Sequence, residues 1–232
     1  MARHKIKGRF IAIEGGDGSG KATQAKLLLE RLQAGGYAVM PVSFPQYGTP
    51  SARLVEQYLN GSFGAVGTQA PELVSLAYAL DRFAAAAHIR TALADGQVVV
   101  ADRYVASNLA HQAAGMDDAR RRSDFYEELK QIEYDILGIP RPDLNIVLSV
   151  PASISQQNVD KKAARSYTTM KRDLHEADAN HLELAKRNFE ELCQLYPQEF
   201  ARIDCMRDGT LEPIEVIRQQ VWQVVQQRLG LQ

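Results

Sequence analysis

Five short runs along the chain are almost continuously apolar and rich in β-branched residues: RFIAIE (9–14), AVMPVSF (38–44), QVVVAD (97–102), LNIVLSV (144–150) and FARID (200–204). Strands with one wet face alternate, so runs of this kind suit parallel strands covered on both faces. Between them the apolar spacing becomes helical, near 21–34, 51–60, 71–94, 104–114, 123–137, 152–160, 176–195 and 213–228. Gly35-Gly36 and Gly96 stop the first and third of these segments, and Pro71 and Pro213 sit near helix starts. Strand alternating with helix predicts βαβ units with right-handed crossovers, hence an α/β fold with a parallel sheet wrapped by helices.

No internal repeat, low-complexity tract or linker divides the chain, so a single domain over 1–232 is expected. The segment with the weakest periodicity is KKAARSYTTMKRDLH (161–175), polar and basic, and its composition alone favours a solvated loop. Of the 232 residues 45% are hydrophobic and 24% charged, which suits one compact core. Formal net charge is −1, so no bulk basic field attracts nucleic acid. The basic start MARHKIKGR leads straight into FIAIE, too short for a signal-peptide core. No run reaches the ~18 apolar residues of a membrane span. Cys193 and Cys205 sit in unrelated contexts and read as reduced thiols. A cytoplasmic protein, with neither membrane nor nucleic acid as partner, is the expectation.

GGDGSGKAT (15–23) follows the first strand run and opens the first helical segment. A phosphate-gripping loop needs Gly, four residues, then Gly-Lys and a Ser or Thr whose hydroxyl meets magnesium. Gly15, Gly20 and Lys21 fit, but the hydroxyl position is Ala22. Glycines there turn several N–H groups toward one anion, and the helix start adds its positive dipole end. Gly15, Gly16, Asp17, Gly18, Ser19, Gly20, Lys21, Ala22 and Thr23 are therefore expected to hold a nucleotide phosphate, with Lys21 as the point charge. Asp17 is unusual, because a carboxylate repels a polyphosphate unless a cation or donor lies between them. It reads as a metal-side ligand or as the acceptor of a substrate hydroxyl.

Three further pieces fall at strand ends or on one helix face. DRY (102–104) places Asp102 and Arg103 at the carboxyl edge of the sheet, where open α/β folds bind ligands, and FPQYG (44–48) follows the second strand in the same way. Tyr78 and Arg82, four apart in YALDR, share a helix face and together can stack on a nucleobase and hydrogen-bond its carbonyl. With the phosphate loop they mark a second nucleotide pocket.

Across nearly its whole length the chain resembles the thymidylate kinases, through AIEGGDGSGK, FPQYG, YALDR, DRYVASN and RDLHEAD in order. The resemblance implies a P-loop, three-layer fold with a five-stranded parallel sheet and a mobile lid at about 161–175. It also implies a magnesium-dependent homodimer that moves the γ-phosphoryl of ATP to thymidine monophosphate. Phe44 and Tyr47 would line the monophosphate pocket, Tyr78 would stack on thymine, Arg82 would read its O4 and Asn108 would face the base. Arg103 would hold the acceptor phosphate, and Asp17 would meet the sugar hydroxyl or the metal. Asp173, His175 and Glu176 match the segment that closes the site, with Glu176 near the metal. His111 stands where the family places a tyrosine or phenylalanine near the sugar, and His175 where it often places tyrosine. The phosphate loop lacks an arginine, which gives the basic residues Lys161, Lys162, Arg165, Lys171 and Arg172 a purpose as lid charges over ATP. A kinase for another nucleoside monophosphate, or a catalytically weak nucleotide-binding regulator, are the competing readings.

Overall fold

The computed structural model describes residues 7–64, 68–151, 153–155 and 179–231. Strands β1 (Arg9–Gly15), β2 (Val39–Ser43), β3 (Val98–Asp102), β4 (Leu144–Ser149) and β5 (Phe200–Asp204) form one sheet in the order β2-β3-β1-β4-β5, parallel throughout. Helices α1 (Lys21–Ala34), α2 (Arg53–Leu59), α3 (Pro71–Ala94), α4 (Val105–Gln112), α5 (Ala119–Lys130), α6 (Ala179–Leu195) and α7 (Ile214–Leu229) wrap it.

The period of two survives inside the continuous apolar runs. Phe10 and Ala12 face a core shared with α3, α4, α5 and α6, through residues such as Ile89, Leu109, Phe125 and Phe189. Ile11 and Ile13 face the opposite core, against Leu28 and Leu32 of α1 and Val221 and Trp222 of α7. Each such side chain taken fully out of water contributes roughly 1.5–3 kcal/mol, so both faces of β1 need apolar residues. Pro41 lies in β2, an edge strand, where its missing N–H costs no ladder bond on the outer side.

Register sets the site. Asp102 of β3 pairs with both Ile13 of β1 and Ser43 of β2, so β2 and β3 end level and β1 runs two residues further along β4. The segments that leave them, 15–21, 44–48 and 103–104, consequently meet beyond one edge of the sheet.

Some boundaries differ from expectation. α5 begins at Ala119 rather than near 123, because Asp118 accepts a hydrogen bond from Arg121 N at 2.7 Å and caps the helix. Its last turn widens into a π-helix over Gln131–Ile136. A small hairpin, β6 (Met206–Arg207) with β7 (Thr210–Leu211), follows β5 unannounced by any alternation. Of the helix expected over 152–160, residues 153–155 are helical and the remainder lies outside the described residues. Among the described residues no helix is long and apolar enough to cross a membrane.

Candidate active site

A cleft of about 330 Å³ opens where the three strands end, lined from the phosphate loop at one side to α3 and α4 at the other. In the loop, Gly18 and Gly20 take positive φ of 79° and 89°. A Cβ on Gly18 would stand 2.0 Å from the Ser155 carbonyl oxygen, whereas one on Gly20 would meet nothing within 4 Å. Gly18 thus packs the loop against the protein, and the space over Gly20 is open to a ligand. Lys21, 6% exposed, donates from Nζ to the Gly16 carbonyl at 3.0 Å and lies 3.7 Å from Asp17 Oδ1. Ala22 and Thr23 line the cleft and are exposed.

Arg103 joins the two sides. Its Nη2 donates to Asp17 Oδ1 at 2.5 Å, and its Nη1 reaches Ser107 Oγ at 2.9 Å and the Gly15 carbonyl at 3.4 Å. Its φ of +66° is unusual for a residue with a Cβ, a strained conformation of the kind held at functional sites. Two neighbours hold it: Arg103 N bonds to the Ile13 carbonyl at 3.0 Å, and Tyr104 N to Glu14 Oε1 at 2.8 Å. Burial opposes the Arg103 charge, but Asp17, Asp102 and Glu14 outweigh it and raise the guanidinium pKa. Arg103 stays a cation. Glu14 is fully buried on β1 and also accepts from Ser107 Oγ at 2.6 Å. Burial pushes its carboxyl pKa up, against the Ser107 hydrogen bond and the Arg103 charge.

Opposite the loop, Phe44, Tyr47, Tyr78, Arg82, Asn108 and His111 all line the same cleft. The FPQYG segment is anchored by Asp81, which is 1% exposed and accepts from Gln46 N at 2.8 Å, Gln46 Nε2 at 3.1 Å and Ser51 Oγ at 2.6 Å. Arg82 is 2% exposed and paired with Glu133. His111 Nε2 faces Arg103 Nη1 at 3.4 Å and His111 Nδ1 faces His181 Nε2 at 3.2 Å. Arginine only donates, so this contact selects the His111 tautomer protonated at Nδ1, which then donates to His181.

For a magnesium ion the described residues offer two carboxylates on the cleft, Asp17 and Asp102. Asp102 Oδ1 is buried without a hydrogen-bond partner among the described residues, an acceptor that a cation or its water would satisfy. Magnesium takes one or two carboxylates and completes its shell with waters and phosphate oxygens, so the pair fits the ion.

Of the sequence-selected residues in the described part, Asp17, Gly20, Lys21, Ala22, Thr23, Phe44, Tyr47, Tyr78, Arg82, Arg103, Asn108 and His111 line one cleft, whereas Gly15, Gly16, Gly18 and Ser19 belong to the loop without lining it. Arg165, Asp173, His175, Glu176 and the lid segment 161–175 lie outside the described residues. Sequence reasoning missed Glu14, Asp81, Glu133 and His181, and it named Asp102 without giving it a task. One signal was available: Glu14 is a charge inside an apolar strand run, and a buried charge demands partners.

Comparison with known proteins gives a consistent picture. The family model described as thymidylate kinase matches residues 13–205. The thymidylate kinase of Mycobacterium tuberculosis H37Rv is 36% identical over 173 residues, covering 73% of this chain and 78% of that one. That of Caulobacter vibrioides is 32% identical over 228 residues, 97% of this chain and 99% of its own. The solved thymidylate kinase of Candida albicans superposes with a TM-score of 0.71 at 23% identity, over 97% of this chain and 94% of that one. At that identity the structural match speaks for the fold.

Proposed function

The chain belongs to the thymidylate kinase family, a family of kinase enzymes, and we propose that its cleft passes the γ-phosphoryl of ATP to thymidine monophosphate, yielding ADP and thymidine diphosphate. One observation carries this reading: the phosphate loop and the aromatic–guanidinium pocket open into a single cleft with Arg103 between them.

On this reading Gly15 to Thr23 cradle the ATP phosphates, and Lys21 leaves the Gly16 carbonyl to meet the outer ones. Arg103 holds the acceptor phosphate in line with the γ-phosphoryl. Phosphoryl transfer asks the protein mainly for positioning and positive charge, and the acceptor is already an anion, so no general base is needed. Tyr78 stacks on the base, Phe44 and Tyr47 wall the monophosphate side, and His111 lies near the sugar. Arg82 and Asn108 read the base edge. Magnesium, held by Asp17 and Asp102 with Glu176 added from the sequence, would neutralise charge on the phosphate oxygens. Arg165 and its basic neighbours are assigned to lid closure on the sequence alone, as are Asp173 and His175.

The assembly proposed is a cytoplasmic homodimer. Leu73, Leu76, Leu80 and Phe83 recur at helical spacing on α3 and are 67%, 39%, 48% and 47% exposed. Such a stripe is costly to leave in water, and a second copy of the same stripe is its natural cover.

The test is ADP release in a coupled assay with thymidine monophosphate, titrated with magnesium. Metal-dependent release that needs the acceptor supports the reading. ATP binding without any release at saturating magnesium would make the chain a nucleotide-binding regulator instead.

A further inference from the structure

Glu133 does not line the cleft, yet it holds two residues that do. It is fully buried and sits on the π-helix Gln131–Ile136, a helix form frequent at functional sites. Its Oε2 accepts from Arg82 Nε at 2.6 Å, and its Oε1 accepts from Arg82 Nη2 at 2.6 Å and from Asn108 Nδ2 at 3.0 Å. Asn108 Nδ2 gives its other hydrogen to the Ser75 carbonyl at 3.1 Å.

These bonds dictate what each side chain has left. With both amide hydrogens of Asn108 spent on Ser75 and Glu133, the carboxamide cannot flip, and its Oδ1 is the atom left over. That oxygen is buried and has no hydrogen-bond partner among the described residues. Arg82, held through Nε and Nη2, keeps Nη1 as its donor toward the cleft it lines. A donor on Arg82 and an acceptor on Asn108 are therefore both oriented by one carboxylate.

We propose that Glu133 is the positioning residue for base specificity, setting Arg82 Nη1 as donor and Asn108 Oδ1 as acceptor toward the pyrimidine edge. This pattern complements a base with a 4-oxo acceptor and an N3–H donor. It opposes a 4-amino pyrimidine, whose N3 accepts and whose exocyclic nitrogen donates, so both contacts become mismatched. The burial of an ion pair away from water is consistent with this role, because such pairs add little stability over apolar residues of equal size.

The inference rests on the cleft being a thymine site, and the test separates the two. Glu133→Gln preserves size but can accept on only one side: its NH₂ must confront either Arg82 Nε or the two donors at Oε1. Turnover of thymidine and deoxycytidine monophosphates is measured for parent and variant. A site that hydrogen-bonds its substrate rejects a mismatched analogue strongly, so Glu133→Gln should cut the thymine-to-cytosine ratio of kcat/KM by about tenfold or more. The KM for ATP should stay within about twofold, since only the base contacts change. An equal loss for both acceptors, or an unchanged ratio, overturns the inference and leaves Glu133 a structural ion-pair partner. A parent with no preference for thymine overturns the functional reading itself. Should Glu133→Gln not fold, Glu133→Asp keeps the charge while withdrawing both oxygens by one methylene. A fall of about fivefold or more in its ratio supports the proposal, and the parental ratio contradicts it.

Discussion

Arg103 Nη2 stands 2.5 Å from Asp17 Oδ1, joining the start of α4 to the phosphate loop across 86 residues of chain. The pair explains how a carboxylate is tolerated where polyphosphate is expected. Arg103 and Lys21 both face it, so Asp17 brings no uncompensated negative charge. It also links the two halves of the cleft, since Arg103 holds the phosphate loop through Asp17 and the Gly15 carbonyl while bonding Ser107 of α4.

Asp17→Asn retains the shape and removes the charge. Turnover should drop by about a hundredfold and the magnesium requirement should rise, as expected for a group acting on transition-state charge. Melting temperature should fall only modestly, because the asparagine Oδ1 can still accept from Arg103 Nη2, and Asp102 and Glu14 still offset the arginine charge. Steady-state kinetics over a magnesium titration, beside a thermal melt, checks both halves. Parental turnover in the variant would reduce Asp17 to a structural ion-pair partner of Arg103.

Ala22→Ser supplies the hydroxyl that the phosphate-loop pattern asks for. The position lines the cleft and is exposed, so the serine fits without repacking. Thr23 is a poor substitute, since one residue along a helix turns a side chain by about 100°. Because Asp17 and Asp102 offer carboxylates and waters complete the shell, turnover should change by only a few-fold, on the order of the effect of one neutral ligand. An inactive parent rescued by the serine would show that the hydroxyl was indispensable.

Glu191 couples α6 to α5 and gives the fold an acid limit. It accepts from Arg122 Nε and Nη2, both at 2.9 Å, and from Tyr126 Oη at 3.0 Å. The Arg122 hydrogen bonds, opposed by burial and aided by Tyr126, hold its carboxyl below the ordinary value of 4.5. A depressed folded-state pKa means stability that is present above the unfolded value and lost as pH falls through the folded one. Glu191→Gln should therefore be less stable at neutral pH by about 1–3 kcal/mol, and the gap should close in acid once both states of the parent are protonated. Urea unfolding of the two proteins at pH 7 and in strong acid reads this directly. A gap that persists in acid would assign the loss to packing.

The five strands were legible because a sheet covered on both faces leaves continuous apolar runs, and the register then placed 15–21, 44–48 and 103–104 together. The residues that orient the site were not. Asp81 lies between Tyr78 and Arg82 in a segment already singled out, but its partners are Gln46 and Ser51, 35 and 30 residues earlier. Glu133 meets Arg82 across 51 residues and Glu14 meets Tyr104 across 90. Local spacing carries no information about such pairings, which arise only when strand order and helix packing are in place. The start of α5 was missed for a nearer reason: Asp117 and Asp118 are both credible caps, and the apolar spacing begins several residues later.

The most direct test of the account is a side-by-side measurement of acceptor turnover with ATP and magnesium. Thymidine, deoxyuridine and deoxycytidine monophosphates are supplied in parallel, and both ADP and the nucleoside diphosphate are quantified. The proposed reading, in which Arg82 and Asn108 present a donor and an acceptor to the base, predicts thymidine diphosphate formed one-for-one with ADP, at a kcat/KM at least about tenfold above the deoxycytidine acceptor. Faster transfer to another monophosphate, or ADP release without thymidine diphosphate, would contradict it.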